Sequence, residues 1–93
     1  MIKRLLILTL NFCLLTFIHA SDLTVTFINV GQVGDSILIQ TPLDRNILID
    51  GGLWYAGEKH IAPVLKNKNI KKIDTVILTH PHGDHYGGLE YIL

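Results

Sequence analysis

The stretch Ile77-Leu78-Thr79-His80-Pro81-His82-Gly83-Asp84-His85-Tyr86-Gly87-Gly88 decides the reading of this chain. It sets four residues of metal-binding type, His80, His82, Asp84 and His85, within six positions just after an apolar run. In an extended segment, side chains two residues apart point the same way, so His80 and His82 can grip one ion together. Gly83 lets the chain turn, and Asp84 and His85 can then face a second position. Imidazole nitrogen and carboxylate oxygen suit zinc, with iron or manganese accepted where a carboxylate takes part. Two such ions, about 3.5–4 Å apart, can hold and activate a shared water, so the stretch suits hydrolysis of an ester, amide or phosphodiester. Any one of these histidines, taken alone, reads as a solvated loop residue, and Asp84 alone reads as a helix cap. It is the four together that point to metal.

The flanks of this stretch give it a setting. Thr75 to Leu78 is apolar after Thr75, the pattern of a strand buried on both faces. Tyr86 to Leu93 reads as the start of a helix with Leu89, Ile92 and Leu93 on one side. No glycine, proline or polar cluster closes that helix, so the domain is expected to continue past Leu93. Upstream, Ile61, Val64 and Leu65 fall at the spacing of an amphipathic helix, with Pro63 in its first turn. Lys66 and Lys68 suit its negative pole, and Asn69 suits the left-handed residue that ends it.

Earlier still, strands are predicted over Leu23–Val30, Ser36–Gln40 and Asn46–Ile49, joined by turns at Gly31–Asp35 and Thr41–Asp44. Short connections make these an antiparallel meander. The alternation of Leu23, Val25 and Phe27 predicts one buried face for the first strand. Asp50-Gly51-Gly52 ends the third strand.

The first twenty residues read differently from the rest. Met1 to Arg4 is a short basic head, Leu5 to Ile18 is a mostly apolar run of fourteen residues, and His19-Ala20 precedes the polar Ser21-Asp22. This is the layout of a secretory signal cleaved after Ala20, which predicts an exported protein, periplasmic or extracellular. The run is short of the roughly 20 residues that span a bilayer, so anchoring through residues 5–18 is the weaker alternative. Cys13, the only cysteine, lies in this segment, and the remaining 73 residues can form no disulfide. They carry six Lys and Arg against eight Asp and Glu, a formal charge of −2, which is no general footprint for nucleic acid. A domain of this size buries only about 60% of its unfolded surface.

Thr79-His80-Pro81-His82-Gly83-Asp84-His85 resembles the HxHxDH signature of the metallo-β-lactamase-fold hydrolases. With Phe27–Ile39 (FINVGQVGDSILI), Leu48–Gly52 (LIDGG) and Ile70–Leu93, the resemblance covers nearly all of residues 21–93 and is nearest to the hydrolase domain of ComEC-type competence proteins and its stand-alone relatives. It implies an α/β fold, the N-terminal portion of an αβ/βα sandwich, over residues 21–93. It implies that His80 and His82 bind a first metal and that Asp84 and His85 bind a second, with Asp84 also catalytic. Asp50 would orient one of the histidines through a hydrogen bond. A further histidine, a bridging aspartate and a last histidine of the family pattern would lie later in the sequence. Relatives run Gly-Gln-Gly-Asp-Ser, whereas this chain has Gly31-Gln32-Val33-Gly34-Asp35-Ser36. The extra Val33 must be absorbed as a bulge or it flips the following strand.

The resulting expectation is the N-terminal part of an exported two-metal hydrolase, with two divalent ions, zinc before manganese or iron, and a phosphodiester such as nucleic acid as substrate. Other members of such a fold cleave lactams or thioesters, and fold alone does not choose among them. The rival expectation is a catalytically incomplete fragment or a non-catalytic metal-binding module, and the 93-residue chain alone is expected to be inactive. The resemblance implies that Asp35 and Ser36 lie near the active-site floor, although by themselves they read as ordinary turn residues; His60 reads as a solvated or capping one. Trp54 and Tyr55 either wall a substrate pocket or simply pack. Lys66, Lys68, Lys71 and Lys72 read as a solvated helix end rather than a polyanion site.

Overall fold

The computed structural model describes residues 22–93, so the expected signal segment, residues 1–20, lies outside the described residues. Four strands form one sheet in the order β1-β2-β3-β4: β1 (Thr24–Phe27), β2 (Ile37–Gln40), β3 (Asn46–Ile49) and β4 (Thr75–Ile77). The first three are antiparallel, as their short turns require. β4 returns parallel to β3, aligning Leu48 with Val76 and Ile49 with Ile77, after a crossover that carries a helix. Among the described residues, no helix is long and apolar enough to cross a membrane.

The pleat sorts the apolar residues into two faces. Thr26, Leu38, Leu48 and Val76 share one face by register, and the crossover covers it. Leu38 and Leu48 are 0% exposed there and join Ile28, Val30, Ala56, Ile61, Leu65 and Leu89 in the core. Burying each leucine contributes about 1.5–3 kcal/mol before entropy is counted. The opposite face carries Val25, Phe27, Ile37, Ile39, Ile47, Ile49 and Ile77, and no described element covers it.

That division corrects the expected burial of the first strand. Leu23, Val25 and Phe27 are exposed, Phe27 by 79%, because they lie on an edge strand and point away from the helices. The same cause corrects the expectation for β4. Ile77 and Leu78 are both 45% exposed, so the strand is not buried on both faces.

The crossover begins with an unforeseen winding. Gly57–Ile61 is π-helical, closed by the Ala62 amide donating to the Gly57 carbonyl, before α1 (Ala62–Asn67) takes over. Pro63 has no amide to donate to the Lys59 carbonyl, which loosens the ordinary four-residue pattern at this junction. Asn69 ends the helix with φ 57°, as its sequence position suggested, and the Ile70 amide reaches back to the Leu65 carbonyl. After β4, the expected single helix from Tyr86 is two short ones, α2 (Gly83–Tyr86) and α3 (Leu89–Ile92). The Gly87-Gly88 pair between them lies tight against Gly51, Leu53 and Trp54, where a Cβ would collide with backbone.

Val33 is absorbed without a flip. It stands in an exposed loop between Gly31 (φ 102°) and Gly34 (φ 98°), and the register of β2 keeps Leu38 inward. Gly34 has no substitute, since its left-handed backbone also lies against the Asp84 carbonyl.

Candidate metal centre

β3 and β4 run side by side, so their C-terminal ends deliver Asp50 and Thr79 to the same place. Asp50 is 3% exposed and has φ 60°, a left-handed conformation that aspartate tolerates better than most residues. Its carboxylate accepts the Thr79 amide at 2.8 Å on Oδ1 and the Thr79 hydroxyl on Oδ2. The same Oδ2 stands 2.9 Å from His85 Nδ1. The Ser36 hydroxyl donates to the Asp50 carbonyl at 2.9 Å from a position only 2% exposed, holding the aspartate from beneath.

These contacts fix the protonation of the group. Burial pushes the Asp50 pKa up, but the Thr79 hydroxyl, the Thr79 amide and the His85 ring outweigh it and hold Asp50 below the ordinary carboxylate value. Asp50 is therefore an anion at neutral pH. Its hydrogen bond raises the His85 pKa against the opposing effect of burial, helped by the charges of Asp84, Asp50 and Asp35. In neutral His85, Nδ1 carries the proton toward Asp50, and Nε2 is left with its lone pair.

His85 Nε2 lies 3.7 Å from Asp84 Oδ2. Two donors about 2.1 Å from a tetrahedral ion stand about 3.4 Å apart, so this pair fits a divalent cation with little adjustment. The His80 ring packs against that of His85 with 4.9 Å between centroids, and its Nδ1 is 3.1 Å from the Thr79 hydroxyl. His82 is stacked nearly parallel to His80, at 6.2 Å. The structure thus gathers all four loop residues into one cluster, with His80 nearer His85 than His82. Among the described residues, no three His, Cys, Asp or Glu side chains converge on a single metal position. The donor chemistry of these side chains, imidazole nitrogen and carboxylate oxygen, suits divalent ions.

Thr79 is the residue that the sequence reading missed, for it ties Asp50, His80 and His85 together. A hydroxyl residue between an apolar strand and the first histidine is the signal that could have found it. Ser36 is likewise more than a turn residue. The lysines lie elsewhere, around α1 and the turn that follows it, and Lys72 Nζ pairs with Asp74 at 3.8 Å at the far end of β4. His60 packs on Tyr55, with 6.0 Å between ring centroids.

Residues 30–93 match the model of the metallo-beta-lactamase superfamily. The chain belongs to that superfamily. Its four-stranded sheet and helices are part of that mixed α/β fold. The superfamily chain is 38% identical over 90 residues to ComE operon protein 3 of Bacillus subtilis, covering 80% of this chain and 12% of the relative. It is 32% identical over 72 residues to the competence protein ComA of Neisseria gonorrhoeae, covering 77% and 10%. A UPF0173 metal-dependent hydrolase of Thermodesulfovibrio yellowstonii shares 39% identity over 56 residues, covering 56% and 19%. The chain therefore spans about a tenth of the length of the two competence proteins. No solved structure gives a significant match.

Proposed function

We propose that this chain is the N-terminal, loop-bearing part of an exported metal-dependent hydrolase, led out by residues 1–20 and acting on a phosphodiester, with nucleic acid the favoured substrate. The observation that carries this reading is the Asp50–His85–Asp84 arrangement, which commits one imidazole nitrogen to a buried carboxylate and leaves the other beside a second carboxylate. Second carboxylates of this kind raise the basicity of a metal-bound histidine and hold its ring in place. His80, His82, Asp84 and His85 would hold two divalent ions, zinc first and manganese or iron as alternatives, and Asp84 would be the carboxylate at the reacting centre. Bound there, the ions would supply Lewis acidity and an activated water. Thr79 keeps Asp50 ionised and meets His80 Nδ1 through its hydroxyl at 3.1 Å. The substrate class is supported by likeness to two competence proteins and a metal-dependent hydrolase.

The second reading, a fragment or metal-binding module without turnover of its own, is favoured by the lack of a three-ligand position among the described residues. Calorimetric titration of zinc into the chain, with circular dichroism and turnover of a phosphodiester followed in parallel, separates the two. Zinc uptake that is lost in the His82→Ala/Asp84→Ala double variant is expected. Equal uptake by the double variant rejects the site. Turnover lost in that variant rejects the second reading.

A further inference from the structure

The segment that leaves β3 runs beside the metal loop and is fastened to it by backbone alone. The Gly51 amide donates to the His85 carbonyl and the Gly88 amide to the Gly52 carbonyl. Trp54 follows, with its own amide against Gly87, two residues after His85. A position this well anchored ordinarily buries its side chain, yet Trp54 is 77% exposed and takes no part in the core. Its ring meets Tyr55 edge-on, with 5.5 Å between centroids and planes at 90°.

Tyr55 is braced in turn. Its hydroxyl lies against Gly31, the His60 ring is 6.0 Å away, and Lys59 Nζ stands 5.9 Å above its ring. Tyr55 stands in the turn just before the π-helical segment Gly57–Ile61, which carries Lys59 and His60. The Lys59 amide donates to the Tyr55 carbonyl at 3.1 Å, which ties that turn to the helix. The result is a rigid aromatic step with a cation beside it, next to the metal loop.

We propose that Trp54, braced by Tyr55 with Lys59 over the Tyr55 ring, is a stacking platform for an unpaired nucleobase. This rests on the phosphodiester reading above and names the part of the substrate that reading left open. An indole face in water gains from any planar base laid on it, whatever the base, because every base has a π-face. Lys59 supplies charge for the adjoining phosphate. Bases inside a duplex are already stacked, so the occupant is a free nucleotide or a single strand.

Trp54 is the only tryptophan of the chain, so its emission reports on the platform directly. The zinc-equilibrated full chain is titrated with a short oligothymidylate, with thymidine monophosphate and with inorganic polyphosphate. Quenching by the oligothymidylate but not by polyphosphate is expected. With labelled oligothymidylate, Trp54→Ala should weaken binding about 5- to 100-fold and Trp54→Phe should retain most of it. Monophosphate binding as tightly as the oligomer makes a free nucleotide the source, and much weaker binding makes it a strand. Equal quenching by polyphosphate, or unchanged binding in Trp54→Ala, overturns the platform and leaves the hydrolase reading intact. If no probe binds while zinc still does, the platform and the nucleic-acid substrate fall together and the metal site stands.

Discussion

Two aspartates close the two ends of the parallel pair β3–β4, and each does so by accepting a backbone amide from the neighbouring strand at 2.8 Å. At the C-terminal end, Asp50 takes the Thr79 amide; at the N-terminal end, Asp74 takes the Asn46 amide. The remaining contacts differ. Asp50 turns its other oxygen to a hydroxyl and an imidazole in a buried setting, whereas Asp74 meets Arg45 at 3.4 Å and Lys72 at 3.8 Å on the surface. Long, solvated cations hold a carboxylate loosely, and water screens what they contribute. A half-buried imidazole hydrogen-bonded to a buried carboxylate is held in one orientation and one tautomer. The same bond thus serves as a strand clamp at one end and, at the other, holds the carboxylate that meets His85 of the proposed metal site.

The two ends can be forced apart experimentally, beginning with the largest effect. Asp50→Asn should lower zinc affinity by about 10- to 100-fold, as loss of a carboxylate behind a metal-bound histidine does, while Asp74→Asn leaves it unchanged; calorimetry on both variants checks the contrast. Thr79→Val keeps the shape of the side chain but removes the hydroxyl, and should cost about 1 kcal/mol in urea denaturation. The smallest effect concerns Asp74. The Asn46 amide first, and the Arg45 and Lys72 charges after it, lower its pKa against the effect of burial. A carboxyl with a lowered native pKa stabilises the fold above its unfolded value, about 3.9. That contribution is lost as pH falls through the native value. The stability gap between the wild type and Asp74→Asn should therefore be full at pH 7 and should shrink in urea titrations at pH 3.

What could be read without coordinates follows the range of the interactions. The bounds of β3, the left-handed Asn69 and the clustering of His80, His82, Asp84 and His85 all come from neighbours in sequence, and all were legible. An orienting role for Asp50 was an expectation of the family resemblance alone, and its 2.9 Å approach to His85 Nδ1 needs the fold to be seen. Thr79 and Ser36 were not legible, because a hydroxyl becomes a clamp only when β3 pairs with β4 and β2 lies alongside. The alternation of Leu23, Val25 and Phe27 marked a common face correctly, but alternation cannot say which face the helices cover. The π-helical turn was hidden as well, since it depends on Gly57 lying against Gly88 and on Pro63 one turn later.

The uncovered face of the sheet ties the chain to mass action. Among the described residues, Val25, Phe27, Ile37, Ile39, Ile47, Ile49 and Ile77 share a face that no helix covers, beside an unpaired edge of β1, and an apolar sheet face is stabilised by whatever layer packs on it. Anything that covers the face binds only the folded form and raises its population. Where a second copy supplies that cover, folding and association become one equilibrium, and the melting temperature then depends on the concentration at which it is read.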